Sequence, residues 1–189
     1  MMSDATFHLL AAALFLYVAV ECSIVCWIAS YFEKYLEVSK ELAAKRLRDF
    51  WIGLIVGRTL TLALPRAWTL WPAAIVAAVG LTVGCALLSL SWSVSSAIVL
   101  VIVAGAAAGP FWPVLVVISQ HVRRSSRYTA AVIGAGAFGA AMGPLMAALV
   151  IRYLGLGRLF PVLTAGSLLL VVMILLARRY TTARASEAK

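Results

Sequence analysis

The stretch VIGAGAFGAAMGP, Val132 to Pro144, places three glycines in the spacing G-x-G-x-x-G. In a soluble protein this spacing is typical of a turn that binds the pyrophosphate of a dinucleotide, after a strand and before an acidic residue about 20 residues on. Here the preceding segment is basic and polar, and the next acidic residue is Glu187. The stretch therefore predicts no nucleotide site, and its apolar surroundings indicate a helix inside a membrane.

The composition is that of an integral membrane protein. Hydrophobic residues make up 64% of the 189 residues and charged residues 12%, with a mean hydropathy of +1.03. Soluble domains are about half apolar and a quarter charged. The chain has 16 Lys and Arg against 7 Asp and Glu, an excess that in a membrane protein marks cytoplasmic loops. We expect the lipid bilayer as its environment and no nucleic acid as a partner.

Six segments are long and apolar enough to cross a bilayer, which takes about 20 residues of helix. They cover residues 7–30, 47–65, 69–90, 95–119, 129–151 and 158–177. The polar connection 31–46 is rich in Glu, Lys, Ala and Leu, and we expect it to prolong the first helix or to start the second outside the membrane. The predicted fold class is all-α, with a single six-helix transmembrane domain over residues 1–189.

With six spans both termini lie on one side of the membrane, so the cations of the two sides can be compared. The side of the termini has nine Lys and Arg, and the other side has seven, five of which lie between Glu33 and Asp49. The positive-inside rule therefore favours cytoplasmic termini. We expect a multi-pass protein of the plasma (inner) membrane.

Glycines recur four residues apart in four of the spans, so each pair lies on one face of its helix. The pairs are Gly53 and Gly57, Gly80 and Gly84, Gly105 and Gly109, and Gly139 and Gly143. Small residues at this interval let the backbone of a neighbouring helix approach closely, as is usual between membrane helices. The pattern therefore predicts helix packing.

Two prolines, Pro110 and Pro113, interrupt the fourth span. Proline inside a helix frees backbone carbonyls, which a bilayer tolerates only where protein or a watery cavity satisfies them. We therefore expect the fourth span to be kinked and to face other helices. The sixth span is apolar around almost its whole circumference, which favours a peripheral position facing lipid.

Glu21 is the one acidic residue well inside a span, near the middle of the first helix. A carboxylate there is costly, so it is a candidate for function. Two interpretations stay open: Glu21 binds a polar solute or exchanges a proton, or it is a protonated or Arg-paired residue that holds two helices together. Arg58, near the end of the second span, is interpreted as an anchor to helix ends or headgroups in preference to a substrate ligand.

The sequence contains no constellation that predicts an enzyme, a cofactor or a metal site. The three cysteines, Cys22, Cys26 and Cys85, lie in apolar runs and have no partners at metal-ligand spacing, so we interpret them as packing residues. Ser-His-Asp and Cys-His arrangements, acidic pairs and phosphate loops are all missing from the sequence.

Four stretches, in order along the chain, resemble one family of membrane proteins. FLYVAVECSIVCWIASYFEKYL (Phe15 to Leu36) and FWIGLIVGRTL (Phe50 to Leu60) resemble the seventh and eighth helices of major facilitator superfamily transporters, particularly the fucose-permease-like sugar group. AGAAAGPFWPVLVVIS and YTAAVIGAGAFGAAMGPLMAALVIRYLG resemble the tenth and eleventh helices. The superfamily has twelve helices, so the chain resembles the C-terminal six-helix half, made of two inverted three-helix repeats.

This resemblance implies a place for each helix and a role for several residues. Helices one and four would line a central cavity, helices two and five would meet the opposite half, and helices three and six would lie outside. The implied residues for substrate binding or proton coupling are Glu21, Tyr17, Phe111, Trp112 and Gln120. Those implied for gating or helix packing are Arg58, Gly53, Gly57, Gly139, Gly143, Pro110 and Pro113.

The chain departs from the superfamily in one loop, and the resemblance implies a contact for two of the glycines. The loop from Thr59 to Trp68 lacks the acidic residue usual in the superfamily's cytoplasmic gating motif. Gly139 and Gly143 would form a smooth face of the fifth helix, in contact with the opposite half.

Two functions are consistent with these residues. The first is a transporter half that moves a small polar solute such as a sugar by alternating access, with Glu21 binding the solute or exchanging a proton. It requires a second six-helix unit, either another copy in a homodimer or a separate N-terminal half. The second is a truncated or non-transporting membrane protein that serves as a structural or assembly subunit.

Overall fold

The computed structural model describes residues 4–63, 70–91 and 93–187, and within these ranges every regular element is a helix. The helices are α1 (Asp4–Lys34), α2 (Lys40–Ala63), α3 (Leu70–Ser89), α4 (Val94–Ala108), α5 (Phe111–Val122), α6 (Ser126–Leu154) and α7 (Leu159–Glu187), with a short 3₁₀ helix, Leu156–Arg158, before α7. The predicted all-α fold class is confirmed. The predicted end of the second span at 65 and start of the third at 69 lie outside the described residues.

Five stretches of the described chain are long and apolar enough to cross a membrane. They are Ala5–Lys34, Leu70–Ser89, Val94–Val122, Ser126–Leu154 and Leu156–Thr182. The protein is therefore an integral membrane protein, and these stretches correspond to all the predicted spans except the second. The predicted count of six spans is not confirmed.

α2 differs from the other long helices because the first ten of its 24 described residues, KELAAKRLRD, are strongly charged. Its apolar part begins only at Phe50. At 1.5 Å per residue the described part from Phe50 to Ala63 rises about 20 Å, against about 30 Å of hydrocarbon. The predicted span over 47–65 therefore starts three residues before the apolar part, and its end lies outside the described residues.

α4 and α5 form one broken span. Gly109 (φ −47°, ψ −49°) and Pro110 (φ −67°, ψ −25°), which lie between them, both have right-handed helical backbone angles. Regular hydrogen bonding stops at this point because Pro110 and Pro113 have no backbone N–H to donate. The break lies where the two prolines of the sequence predict it.

The polar connection 31–46 is largely helical. α1 continues to Lys34 and α2 starts at Lys40, so both helices extend into the connection. Both alternatives expected from the sequence are therefore realised, and only residues 35–39 lie between the two helices.

The charged start of α2 packs against the end of α1. Arg46 and Asp49 form an ion pair of 3.0 Å, and they are 7% and 6% exposed. The Arg46 guanidinium also lies over the Phe32 ring of α1, 5.9 Å from its centroid. A buried ion pair by itself is weak evidence for stability. The pairing of the two charges nevertheless explains how the charged start of α2 can pack against α1.

Gly53 and Gly57 of α2 interlock with Gly105 and Gly109 of α4. A Cβ atom at any of these four positions would collide with a backbone carbonyl oxygen of the other helix. The four carbonyls belong, in the same order, to Ile102, Ala106, Phe50 and Leu54. The two helices therefore touch backbone to backbone, as their glycine intervals predict.

Gly139 and Gly143 of α6 pack against α1 in the same way. A Cβ atom at Gly139 would collide with the Phe15 carbonyl, and one at Gly143 with the Ala19 carbonyl. The expectation that this face meets the opposite half of a transporter is corrected, because α1 of the same chain already occupies it. Gly134 lies on another face of α6, where a Cβ atom would have nothing within 4 Å.

α7 lies at the edge of the bundle, against α1 and α3. One of its faces is buried and includes Phe160, Leu170 and Ile174. The opposite face exposes large apolar side chains, among them Leu168 and Val172. Within the described chain this face is open to lipid, in keeping with an apolar helix at the periphery.

We expect Gly139→Leu to destabilise the bundle, because the new side chain meets the Phe15 carbonyl and has to push α6 away from α1. Overpacking of this kind costs about 1–3 kcal/mol or more. For a chain of this size we expect the melting temperature in detergent to fall by roughly 3–10 °C.

Gly134→Leu is the matched control, since it adds the same side chain to the same helix at a position with nothing within 4 Å. It should shift the melting temperature by no more than about 1–2 °C, as for other surface substitutions. Equal melting temperatures for the two variants would contradict the contact between α1 and α6.

Candidate functional site

Several polar groups inside the bundle lie at the break between α4 and α5. Pro110 and Pro113 have no N–H, so the carbonyls four residues before them, Ala106 and Gly109, lose their helical donors. An unsatisfied polar group in hydrocarbon costs several kcal/mol, so other parts of the protein have to supply donors or exclude the carbonyl from lipid. The Ala106 carbonyl is covered by Gly57 of α2.

Side chains from α1 and α2 donate hydrogen bonds to this break. The Tyr17 hydroxyl donates to the Ala108 carbonyl oxygen at 3.0 Å, and the Arg58 Nε donates to the Gly109 carbonyl oxygen at 3.2 Å. The Gly109 carbonyl is the one that Pro113 leaves without a donor. Arg58 thus contacts the end of α4, a helix other than its own.

Phe111, at the start of α5, holds the Tyr17 ring in position. The two ring centroids are 4.6 Å apart with 30° between the ring planes, and both residues are fully buried. Phe111 therefore packs inside the bundle, which corrects the expectation that it lines an open cavity. The next residue, Trp112, is 36% exposed and lies on the open side of α5.

Glu21 lies one helical turn after Tyr17 and shares its helix face. It is 8% exposed, and the Tyr17 hydroxyl and the Arg58 guanidinium lie in its neighbourhood. The Tyr17 proton, however, is donated to Ala108, and within the described chain no ion pair of 4.0 Å or less involves Glu21. The acid therefore lies beside the break with its capacity to accept hydrogen bonds still available.

Gln120 lies apart from these residues. It is exposed near the end of α5, in an open cleft that it shares with Arg124, Thr129 and Ile133. At 1.5 Å per residue, this position is about 18 Å along the helix from Ala108. The structure therefore brings Tyr17, Glu21, Arg58 and the broken span together, and it does not bring Gln120 to them.

The acceptors at this site are backbone carbonyls, which sequence reasoning did not identify. The signal was present in the sequence, because Pro113 lacks an N–H and the carbonyl of Gly109 therefore needs another donor. In the ranges that the structure describes, no group of three His, Cys, Asp or Glu is arranged to bind a metal ion. What the site offers is hydrogen bonding around one buried carboxylate.

Comparisons with known proteins give a match in structure. No family model matches the sequence, and no curated protein matches it. The in meso crystal structure of the POT family transporter PepTSo matches with a TM-score of 0.81 and 13% sequence identity, over 95% of this chain and 38% of that chain. The crystal structure of a peptide transporter POT, a glutamate-to-glutamine mutant in complex with alafosfalin, matches with a TM-score of 0.83 and 13% identity, over 93% and 38%.

These matches show the fold. The chain spans 38% of the length of each of these transporters. Both neighbours are POT peptide transporters, which have the major facilitator fold, so the fold that the resemblance implies is supported and the narrower fucose-permease-like group is not. The chain is an all-helical integral membrane protein that has the fold of part of these transporters.

We expect Tyr17→Phe to lower the free energy of unfolding by about 1 kcal/mol, because the Ala108 carbonyl loses its donor while the ring keeps its contact with Phe111. The measurement is the midpoint of denaturant unfolding in detergent. Tyr180→Phe, at an exposed tyrosine of α7, is the control and should have little effect. A loss no larger than that of the control would contradict the hydrogen bond.

We expect Arg58→Met to cost less in a Pro113→Ala background than in the wild type. The Pro113→Ala substitution restores a backbone N–H that reaches the Gly109 carbonyl, so the Arg58 Nε is no longer its only donor. A double-mutant cycle measures this coupling, which we expect to be about 0.5–1.5 kcal/mol. Additive effects of the two substitutions would contradict the role of Arg58 at the break.

Proposed function

We propose that this chain is one half of a transporter that moves a small polar solute across the plasma membrane by alternating access. A second six-helix unit, either another copy of the chain or a separate N-terminal half, forms the other wall of the cavity. A fold match over 95% of this chain and 38% of a transporter supports the need for further helices. In this half α2 is the sixth span, in addition to the five stretches that are long and apolar enough to cross a membrane.

Glu21 is the observation that carries this proposal. A carboxylate in the middle of a membrane helix is expensive to keep, and such residues mark solute or proton pathways. A purely structural Glu21 paired with Arg58 would call for an ion pair, yet among the described residues no ion pair of 4.0 Å or less involves Glu21. The carboxylate is therefore available to bind a solute or to exchange a proton.

The single proton of the Tyr17 hydroxyl couples Glu21 to the break. This hydroxyl lies near two acceptors, the Ala108 carbonyl and the Glu21 carboxylate, and it donates to one of them at a time. A charged acceptor forms the stronger hydrogen bond. When Glu21 is ionised, the Tyr17 hydroxyl therefore donates its hydrogen bond to Glu21 in place of the Ala108 carbonyl, and the break is free to bend. When Glu21 is protonated or bound to the solute, Tyr17 keeps its hydrogen bond to Ala108.

Two open faces are available for contact with the second unit. The apolar residues Ile52, Ile55 and Val56 are exposed on α2, and Gly134 and Phe138 are exposed on α6. These are the two helices that the resemblance assigns to the contact between halves. We therefore place the interface on these faces, and not on the Gly139 face of α6.

We also propose that both termini face the cytoplasm. Exposed arginines lie in the α5–α6 connection and near the end of α7, which are on the side of the termini when six spans cross the membrane. They are Arg123, Arg124, Arg127, Arg178 and Arg179. Cations on this side follow the positive-inside rule.

Uptake into proteoliposomes tests the role of Glu21. We expect Glu21→Gln to reduce proton-driven accumulation at least about tenfold, because hydrogen bonds to a charged group contribute about 1.5–3 kcal/mol. Sugars and short peptides are tested side by side, since both resolved neighbours are peptide transporters. Counterflow without a proton gradient separates the two roles: it survives in Glu21→Gln if Glu21 exchanges a proton, and it is lost if Glu21 binds the solute.

Glu33→Gln, near the end of α1, is the control for this experiment and should leave accumulation unchanged. Wild-type transport in Glu21→Gln would overturn the role of the buried acid.

A packing subunit that transports nothing is the second candidate. The glycine contacts within the chain favour it, because they hold α2 to α4 and α1 to α6 without help from another protein. It predicts no uptake of any solute by wild type, even when the protein is a stable dimer.

A further inference from the structure

A groove runs between α6 and α7, and α1 forms its floor. Its volume is about 180 Å³, and its lining includes Met146 and Val150 of α6, Leu159 and Gly166 of α7, and Ser23 of α1. Ser23 is the only residue of the lining with a polar side chain, and its hydroxyl already donates to a carbonyl of its own helix at 2.6 Å. Water needs two to four polar partners in such a space, so the groove fits an apolar occupant.

The groove lies in the half of the membrane that one lipid tail occupies. Ser23 lies near the middle of the span Ala5–Lys34, whereas Val150 and Leu159 lie next to the connection between α6 and α7. The groove therefore extends from the centre of the bilayer toward the surface opposite the termini. Half of the hydrocarbon core is about 15 Å thick, the depth that one acyl chain occupies.

One cation lies at the end of the groove. Arg158 directly precedes Leu159 of the lining. It is exposed, and it has no acidic partner within 4.0 Å among the residues described. A free guanidinium group at a membrane surface binds phosphate, whose geometry it matches.

We propose that this groove binds one phospholipid with a net negative charge, its acyl chain in the groove and its phosphate at Arg158. The charge at one end and the almost wholly apolar walls favour this occupant over a helix of a second protein, which would need contacts beyond a single narrow groove. The lipid chain lies between α6 and α7 and against α1. This site does not depend on whether the protein transports a solute.

Native mass spectrometry of the detergent-purified protein tests the site, with phosphatidylglycerol and phosphatidylcholine added in turn. We expect wild type to retain one phosphatidylglycerol in preference to phosphatidylcholine. Replacing Arg158 by Gln should weaken phosphatidylglycerol binding about fivefold. Arg127→Gln, an exposed arginine at the other end of α6, is the control for charge.

Gly166→Leu fills the groove without moving the backbone, because a Cβ atom there would meet only a methyl group of Val20 at 3.5 Å. We expect it to weaken binding roughly tenfold or more, since the new side chain displaces several methylenes of the lipid. Ala165→Leu, which adds a leucine at the exposed neighbouring position of α7 outside the groove lining, should leave binding unchanged.

Crosslinking with a phosphatidylglycerol that has a diazirine in its acyl chain locates the lipid. We expect adducts on Met146 and its neighbours in the groove, and their loss in Gly166→Leu. Equal retention of the two lipids, unchanged binding in Gly166→Leu, or a dimer that Gly166→Leu dissociates would each overturn the proposal.

Discussion

A backbone carbonyl inside a hydrocarbon core has to find its donor within the protein, and this constraint organises the centre of the bundle. Pro113 removes the N–H that would serve Gly109, and Arg58 of α2 provides a replacement at 3.2 Å. Tyr17 of α1 serves the neighbouring carbonyl of Ala108 at 3.0 Å. Two helices that are distant in sequence are thereby tied to the point where the fourth span breaks. Glu21, which is buried, lies on the same face of α1 as that tyrosine.

The glycine contacts make these hydrogen bonds geometrically possible. Gly57 rests on the Ala106 carbonyl, and Arg58 is the next residue of α2, so its side chain starts from a backbone that already touches α4. Gly109 carries no side chain between its own carbonyl and α2. A larger residue at either glycine would separate the two helices and move the guanidinium away from its acceptor. Helix packing and the chemistry of the site therefore depend on the same residues.

The sequence predicts the parts of this structure that follow from a residue's own backbone or from local periodicity, such as the all-α class, the membrane setting and the break at the two prolines. Contacts between distant helices are not of this kind. A glycine pair such as Gly139 and Gly143 indicates a close approach without naming the partner, and Phe111 fits a solute or a tyrosine equally well until the path of α1 is known. Hydropathy likewise cannot show that Arg46 and Asp49 form an ion pair beside Phe32. This pairing lets the charged start of α2 pack against α1, although it adds nothing to the apolar part of α2.

The two kinds of contact at the break respond differently to a change at Glu21. Backbone contacts at the glycines do not depend on any proton, so the pairs α2–α4 and α1–α6 stay rigid in either protonation state. The hydrogen bond of Tyr17 does depend on a proton, so in the proposed mechanism the bend is confined to α5. Over the roughly 18 Å from Ala108 to Gln120, a bend of about 10° displaces the far end of the helix by about 3 Å. The proposed mechanism thereby couples Gln120 and the cleft around Arg124 to Glu21 through the movement of a rigid helix, without any contact between them.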